Sequence, residues 1–325
     1  MTTRRALLSA AAILAAAPLR AQPRWPDRPL RVLVGYAPGG GVDVIARMLA
    51  EPMRAALGQP VVVENRPGAS AMIAAQAVAR GGNDGHTLLM AAAGEIAVNP
   101  ALFKQRMTYD PARDLRPVAL VAAIPNVIVV HPSLPVRTPA ELVAYARANP
   151  GKLSFASSGI GNPQHLAGEL LNRMAGTDIL HVPYRGAAPA LTDVAAGRVS
   201  MNFSSLGPAL PLITEGRVRA IAVTSRERMP QLPDVPALAE TPGLEGYDLV
   251  NWFGLFAPAS MPDANVQRLH EIVATALQQP DLAARITDQG GIAKPMSVAG
   301  FAALVAEDSR KYARIIEEAD ITPEG

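Results

Sequence analysis

Short runs of valine, isoleucine and leucine alternate with amphipathic stretches along most of the chain. Residues 30–34, 61–64, 87–90, 127–130, 153–156, 179–182, 200–203, 219–224 and 253–257 are rich in apolar side chains with little period-two alternation. That is the pattern of strands buried on both faces. Between the first two, Ile45, Met48, Leu49, Met53 and Ala56 recur at helical spacing until Gly58 and Pro60 end the run. Pro52 inside this stretch predicts a kink. Thr138-Pro139-Ala140-Glu141 reads as a capping box with proline at the first helical position. Leu166, Leu170, Leu171 and Met174 form another stripe, ended by Gly176. Two further helices are expected over residues 263–277 and 297–319.

Strand–helix alternation predicts an α/β protein with parallel sheets. Nine strands exceed what one ordinary domain holds, so two sheets in two domains are expected. No Ser/Gly-rich tether separates them. The chain is therefore expected to cross between domains in short extended segments, at Ile124-Pro125-Asn126 and at residues 248–252, with the C-terminal helices returning to the first domain. The predicted division is residues 22–124 plus 248–325 for one domain and 125–247 for the other.

The 325 residues include no cysteine. This excludes a disulfide framework, a thiolate zinc site, an iron–sulfur cluster and a cysteine nucleophile. Thirty basic residues stand against 28 acidic ones, and aromatic residues make up 4%. Neither the charge balance nor the aromatic content points to nucleic acid. The pI of 9.0 needs a local explanation. Arg4-Arg5, an apolar run over residues 6–17 and the small residue Ala21 form a secretory signal, with cleavage expected after Ala21. The run is too short to span a bilayer, and the paired arginines leave a twin-arginine route open beside the general one. Three basic residues and no acid lie in residues 1–21, so the remainder carries one acid in excess. A nearly neutral, exported protein is expected, periplasmic in a Gram-negative cell.

Two strand-to-helix junctions are glycine-rich. In the first, Val34-Gly35-Tyr36-Ala37-Pro38 leads into Gly39-Gly40-Gly41-Val42-Asp43. Backbone can approach a ligand closely there, and the free N–H groups of a helix start make an anion site. Gly39-x-Gly41 with Glu64 at the next strand end imitates a dinucleotide fingerprint, but Val44 occupies its third small position. The second junction is Ser157-Ser158-Gly159-Ile160-Gly161-Asn162-Pro163, with Asn162 as a good N-cap. Its hydroxyls and the Gly159 and Gly161 amides could ring a carboxylate. A nucleophile elbow, Gly-x-Ser-x-Gly, is absent. The histidines, His165 among them, show no paired metal-ligand spacing, and no metal or cofactor is expected. One such loop per domain, each at a strand C-terminus, points to one anionic ligand held between domains.

These segments, taken in order, resemble the Bug receptors, the extracytoplasmic solute-binding (TctC-like) proteins of tripartite tricarboxylate transporters. The resemblance runs from Trp25-Pro26 through Pro38–Asp43, Leu57–Gly68, Asp84–Leu89 and Asn99–Leu102. It continues through Ser157–Gly161, His181–Gly186, Leu232–Pro236 and Trp252–Pro258. It implies a two-domain type II periplasmic-binding fold that closes like a flytrap over a small carboxylate, gripped by the two loops partly through ordered water. It also implies TctA/TctB-like membrane subunits as partners; a monomer suits such a fold.

Two departures bear on the ligand. Many relatives have Ser-Thr where Gly41-Val42 stand, and many carry Asp where Ser204 stands. An acid at the latter place could pair with an ammonium group, so an amine-free carboxylate, aromatic or aliphatic, is expected. The predicted ligand-binding residues are Tyr36, Gly39, Gly40, Gly41, Ala92, Ser157, Ser158, Gly161, Asn162, Tyr184 and Ser204. No catalytic residue is expected. An exported cofactor-dependent oxidoreductase and a sensory receptor of the same fold are the alternatives.

Overall fold

The computed structural model describes residues 25–81, 85–184 and 186–323. The predicted signal segment lies outside them. Each apolar run is a strand: β1 (Leu30–Val34), β2 (Val61–Asn65), β3 (Thr87–Ala92), β4 (Leu115–Val130), β5 (Ser154–Ser157), β6 (Leu180–Pro183), β7 (Met201–Ser205), β8 (Arg219–Val223) and β9 (Val250–Pro258). A two-residue β10 (Ile292–Ala293) is added. The main helices are α1 (Gly41–Leu57), α2 (Met72–Ala79), α3 (Pro139–Ala148), α4 (Pro163–Ala175), α5 (Ala187–Ala195), α6 (Leu206–Thr214), α7 (Asp263–Leu277), α8 (Pro280–Asp288) and α9 (Val298–Glu318). Helix ends follow the chemistry of the sequence. Gly58 and Gly176 terminate α1 and α4 in left-handed conformation. Thr138 and Glu141 close the capping box of α3.

The strand order is β2-β1-β3-β9-β4-β7-β5-β6, with β8 and β10 also paired to β4. β1, β2 and β3 are mutually parallel, as are β5, β6 and β7. The expectation of purely parallel sheets is corrected at the centre: β9 runs antiparallel to β3 and β4, and β4 antiparallel to β7 and β8. The reason is the length of β4. Its first part pairs with β9 as far as Pro125, opposite Val250; from Asn126 it pairs with β7 and β8. One sixteen-residue strand thus belongs to two sheets and carries the chain from one lobe to the other.

Three apolar clusters fill the lobes. Val34, Ile45, Leu49, Leu255 and Leu269 pack β1 and β9 against α1 and α7. Val127, Ala156, Leu191, Leu206 and Val223 do the same for the second sheet with α5 and α6. A third cluster is continuous through both lobes, from Leu33 and Leu89 through Trp252 and Phe256 to Phe155 and Phe203. Trp252 stands edge-on to Phe301 at 5.5 Å between ring centroids, and its Nε1 donates to Asp308 Oδ2 at 2.8 Å. Lys311 Nζ holds the other oxygen of Asp308 at 2.8 Å.

Asp308→Ala strips a buried indole N–H of its acceptor. It should cost about 1–3 kcal/mol in denaturant unfolding, without changing the slope of the transition. A cost below about 0.5 kcal/mol would contradict a tight bond at this site.

Candidate ligand-binding site

A cleft of about 700 Å³ opens between the two sheets. The strand C-termini of both lobes face it, where an α/β sheet generally places its ligands. Tyr36 follows β1, Ala92 ends β3, Ser158 follows β5, and Ser205 ends β7; all four line it. Helix starts supply the rest of the wall. Gly39, Gly40, Gly41 and Val42 open α1, Asn162 and Pro163 open α4, Ala187 and Ala188 open α5, and Ser205 and Gly207 open α6. Each helix contributes the positive end of its dipole; α1, α5 and α6 add uncapped first amides, whereas in α4 Pro163 has no N–H and Asn162 Oδ1 accepts that of His165. The N-caps of α1, α5 and α6 are Gly40, Gly186 and Ser205, none with a side-chain cap bond. Among the described lining residues there is no lysine, arginine or histidine. An anion held here is held by dipoles and neutral donors.

The first glycine loop is clamped from behind. Asp43 Oδ2 accepts the Gly39 N–H at 2.9 Å, and Oδ1 accepts Asn65 Nδ2 at 2.8 Å. Asn65 Nδ2 also reaches the Tyr36 carbonyl, and Arg47 Nε donates to Asp43 at 3.0 Å. Burial works to raise the Asp43 carboxyl's pKa, but the donors from Arg47, Gly39 and Asn65 outweigh it and hold it below the usual carboxylate range. The clamp fixes the loop so that the α1 amides face the cleft. A side chain on Gly41 would press on the Phe253 ring, 3.3 Å from a Cβ. The bare glycine lets that ring form part of the wall. Phe253, Ile45, Ile124, Val42 and Ala92 make this side apolar.

The second loop offers side chains in place of amides. Gly159 N–H donates to Ser157 Oγ, Gly161 N–H to His165 Nδ1, and Ser158 N–H to Gln164 Oε1. The amide ring expected around a carboxylate at Gly159 and Gly161 is thus closed on itself. Ser158 Oγ, which accepts Asn162 Nδ2 at 2.6 Å, keeps its own proton for the cleft.

Of the predicted residues, Tyr36, Gly39, Gly40, Gly41, Ala92, Ser158 and Asn162 come together around the cleft. Ser157, Gly161, Tyr184 and Ser204 are not among its lining residues. Ser157 is fully buried and shares a 2.7 Å hydrogen bond with His181 Nε2. His181 stacks on His165 at 3.7 Å and on Phe155 at 4.9 Å. Burial and the neighbouring His165 push His181 down to about 3. The Tyr184 hydroxyl donates to Asp193 at 2.7 Å, and burial with that carboxylate pushes it up to about 12. Ser204 is buried and donates to the Ser205 carbonyl. Gly161 meets the other lobe: a Cβ there would fall onto Leu102 Cδ2. The lobes touch again where a Cβ on Gly290 would come within 2.8 Å of Leu206 Cβ.

Sequence reasoning missed Asn126, Asn251, Ser205, Gln164, Phe253 and the rim pair Asp288 and Gln289. Asn126 is the most telling. It sits where β4 changes sheets, only 2% exposed, and its Nδ2 has no acceptor. Its backbone is fixed by Thr224 in both directions, at 2.9 Å each. Asn251 Oδ1 accepts the amides of Trp252 and Ala93, leaving its NH2 as spare donor capacity. Glu64, the acid that imitated a ribose ligand, is held by Arg31 at 2.5 and 2.6 Å and is absent from the cleft. Among the described residues no three metal-ligating side chains converge, and no helix is long and apolar enough to cross a membrane.

Two α/β lobes joined by a shared strand, with helix starts converging on a cleft between them, define a solute-binding receptor of the periplasmic type. Residues 45–321 match the family model of the tripartite tricarboxylate transporter family receptor (TctC), and the chain belongs to that family. It is 42% identical over 289 residues to a Pseudomonas sp. (strain P51) protein from the tcbD-tcbE intergenic region, covering 88% of this chain and 85% of that one. It is 34% identical over 307 residues to protein BugT of Bordetella pertussis, covering 93% and 92%. Two solved structures from Rhodopseudomonas palustris are each 34% identical. Rpa4515 with adipate superposes with a TM-score of 0.82, covering 92% of this chain and 99% of that one. MatC with bound malate gives 0.77, covering 90% and 100%. The family is one of periplasmic solute-binding receptors serving tripartite transporters.

Two outcomes follow from this geometry. His181 has a lower pKa in the folded chain, about 3, than the ordinary histidine value of 6.5. Between those values the unfolded chain binds a proton that the folded one refuses. Stability from this group is complete above pH 6.5 and falls as pH drops toward 3. His181→Gln should lower the melting temperature at pH 7 yet flatten its decline on acidification; an unchanged decline would remove His181 from the acid response. Gly161→Ala forces a left-handed residue against Leu102. About 1–2 kcal/mol of stability should be lost, with a larger radius of gyration in solution scattering. Adding Leu102→Ala should recover part of both.

Proposed function

We propose that this protein is a non-enzymatic, exported receptor that binds a small organic carboxylate in the interlobe cleft and delivers it to TctA/TctB-like membrane subunits. The observation that carries this reading is the cleft with helix starts on its walls, no cation among its described lining residues, and the unpartnered Asn126 amide buried within it. Helix N-termini and neutral donors hold carboxylates without a fixed positive charge. The carboxylates in the names of the two R. palustris relatives, adipate and malate, support the same class of ligand. In this reading residues 1–21 are a cleaved signal, and lobes 22–124 plus 248–325 and 125–247 close on the ligand as a monomer.

The side-chain chemistry narrows the ligand. Phe253, Ile45 and Ile124 favour a hydrocarbon skeleton over a hydroxylated one. The amine-free expectation rested on Ser204, which the structure buries away from the cleft. The acid that an ammonium group would meet is Asp288, exposed at the rim. The amine-free assignment rests on the apolar wall: Phe253, Ile45 and Ile124 offer an ammonium group no acceptor.

A thermal-shift screen over carboxylic acids, followed by calorimetry, tests the reading. Adipate-like or aromatic acids should raise the melting temperature and bind more tightly than aspartate or glutamate. Asn126→Ala should weaken the best ligand about 10- to 100-fold, the loss of one charge-assisted hydrogen bond, with the far-ultraviolet dichroism unchanged. Tighter binding of an amino acid, abolished by Asp288→Asn, would overturn the amine-free assignment. The absence of any carboxylate response would sink the receptor reading.

A further inference from the structure

Behind the cleft floor lies a carboxyl group that no part of the binding reading uses. Glu95 belongs to a five-residue π-helical turn, Gly94–Val98, directly after β3, and it is fully buried. Its Oε2 lies 2.7 Å from the Tyr36 hydroxyl, and its Oε1 accepts the Ala92 N–H at 3.0 Å. Tyr36 and Ala92 both line the cleft. Glu95 is therefore hydrogen-bonded to one residue of the cleft wall and to the backbone of another.

We propose that Glu95 takes up a proton when the cleft binds a carboxylate, and that this proton turns the Tyr36 hydroxyl into a donor toward the ligand. The inference rests on the carboxylate-receptor reading and extends it to the protonation state of the site. The geometry dictates the mechanism. A tyrosine hydroxyl has one proton to give. With Glu95 ionised, that proton is committed to Oε2, and Tyr36 presents only lone pairs to the cleft. A second anion would face them. When Glu95 binds a proton from solvent, Oε1 is already an acceptor for Ala92, so the proton sits on Oε2 and is donated to the Tyr36 oxygen. The tyrosine's own proton is then free to rotate into the cleft and meet a carboxylate oxygen. No bond other than these O–H···O contacts is rearranged, and one proton is gained from water per ligand bound.

The surroundings favour the neutral acid. Burial raises the Glu95 carboxyl to about 7, against the hydrogen bonds from Tyr36 and Ala92. No lysine, arginine or histidine among the described residues is paired with it. The turn packs against β3, the 99–102 turn and α9. The first two bring no titratable side chain. α9 brings Tyr312 and Asp308, whose charge is held by Lys311 and Trp252. The Tyr109 hydroxyl donates to the Glu95 backbone carbonyl at 2.8 Å.

Two measurements test this. In ligand-free protein carrying 13C-labelled glutamate, the Glu95 carboxyl resonance, identified by its loss in Glu95→Gln, should titrate near pH 7; a midpoint below 5 would overturn the proposal. Calorimetry with adipate between pH 6.5 and 9, where adipate stays a dianion, should show affinity falling by up to about tenfold per pH unit above the midpoint. Buffers of different ionisation enthalpy should report proton uptake. Glu95→Gln, which offers Tyr36 a permanent donor, should bind with a flat pH profile. Tyr36→Phe should bind weakly and also without pH dependence. A wild-type profile as flat as that of Glu95→Gln, with adipate bound, overturns the proton linkage alone. No response to adipate or to any shorter dicarboxylate at any pH would remove the receptor reading and the linkage together.

Discussion

A carboxylate site whose described lining residues include no lysine, arginine or histidine draws its potential from backbone. That constraint explains more of this molecule than any single residue does. Helix starts supply only about half an elementary charge each, and only within the first turn. Several must therefore converge at short range, and they must be free of side-chain caps that would satisfy their amides first. Glycine at Gly40 and Gly186 meets the second requirement; the strand order meets the first. Parallel strands followed by helices aim their C-terminal ends at a common edge, and the two sheets, joined through β4, bring two such edges face to face. Charged side chains around the glycine loop serve to hold it or are paired with one another. Asp43 and Arg47 hold the glycine loop in place, and Glu64 is committed to Arg31.

The same constraint accounts for what surrounds the ligand's space. With no cation among the described lining residues every donor counts, and each must be aimed before the ligand arrives. Asn126, Asn251 and Ser158 are held from behind by bonds to backbone or to neighbouring side chains. The Glu95 carboxyl behind Tyr36 complements such a site in the linkage we propose: a proton taken up there is the positive charge that the described lining residues do not supply.

Much of the fold was legible because its signals are local. The apolar runs are strands, and Gly58, Gly176 and the Thr138 capping box end or begin helices as their chemistry demands. What sequence could not show was β4 in full. Pro117 and Pro125 argue against a central strand, yet the ladder accommodates them, with a register shift just after Pro117 and the change of partners at Pro125. The reversal of β4 and β9 is a long-range pairing with no local mark. The site divides in the same way. The glycine loop, Ser158 and Asn162 follow from helix-start chemistry. Neighbouring positions failed by one residue: Ser205 faces the cleft and Ser204 the interior, Ser158 faces the cleft and Ser157 the interior. Successive side chains on a strand point to opposite faces, and the register that decides between them is set by partners far away in sequence. Asn126 and Phe253 reach the cleft only because β4 and β9 pass between the lobes.

The place of Asn126 has an energetic consequence. It lies on the strand that both sheets share, where β4 exchanges β9 for β7 and β8. In the closure proposed for the receptor, a contact to the ligand from a segment common to both lobes is the same before and after the lobes approach. By linkage, a contact of equal strength in two states adds to affinity and contributes nothing to the equilibrium between them. Asn126 is therefore an anchor and not a trigger. In that closure the work of bringing the lobes together falls to groups on opposite walls of the cleft, the α1 and α4 starts.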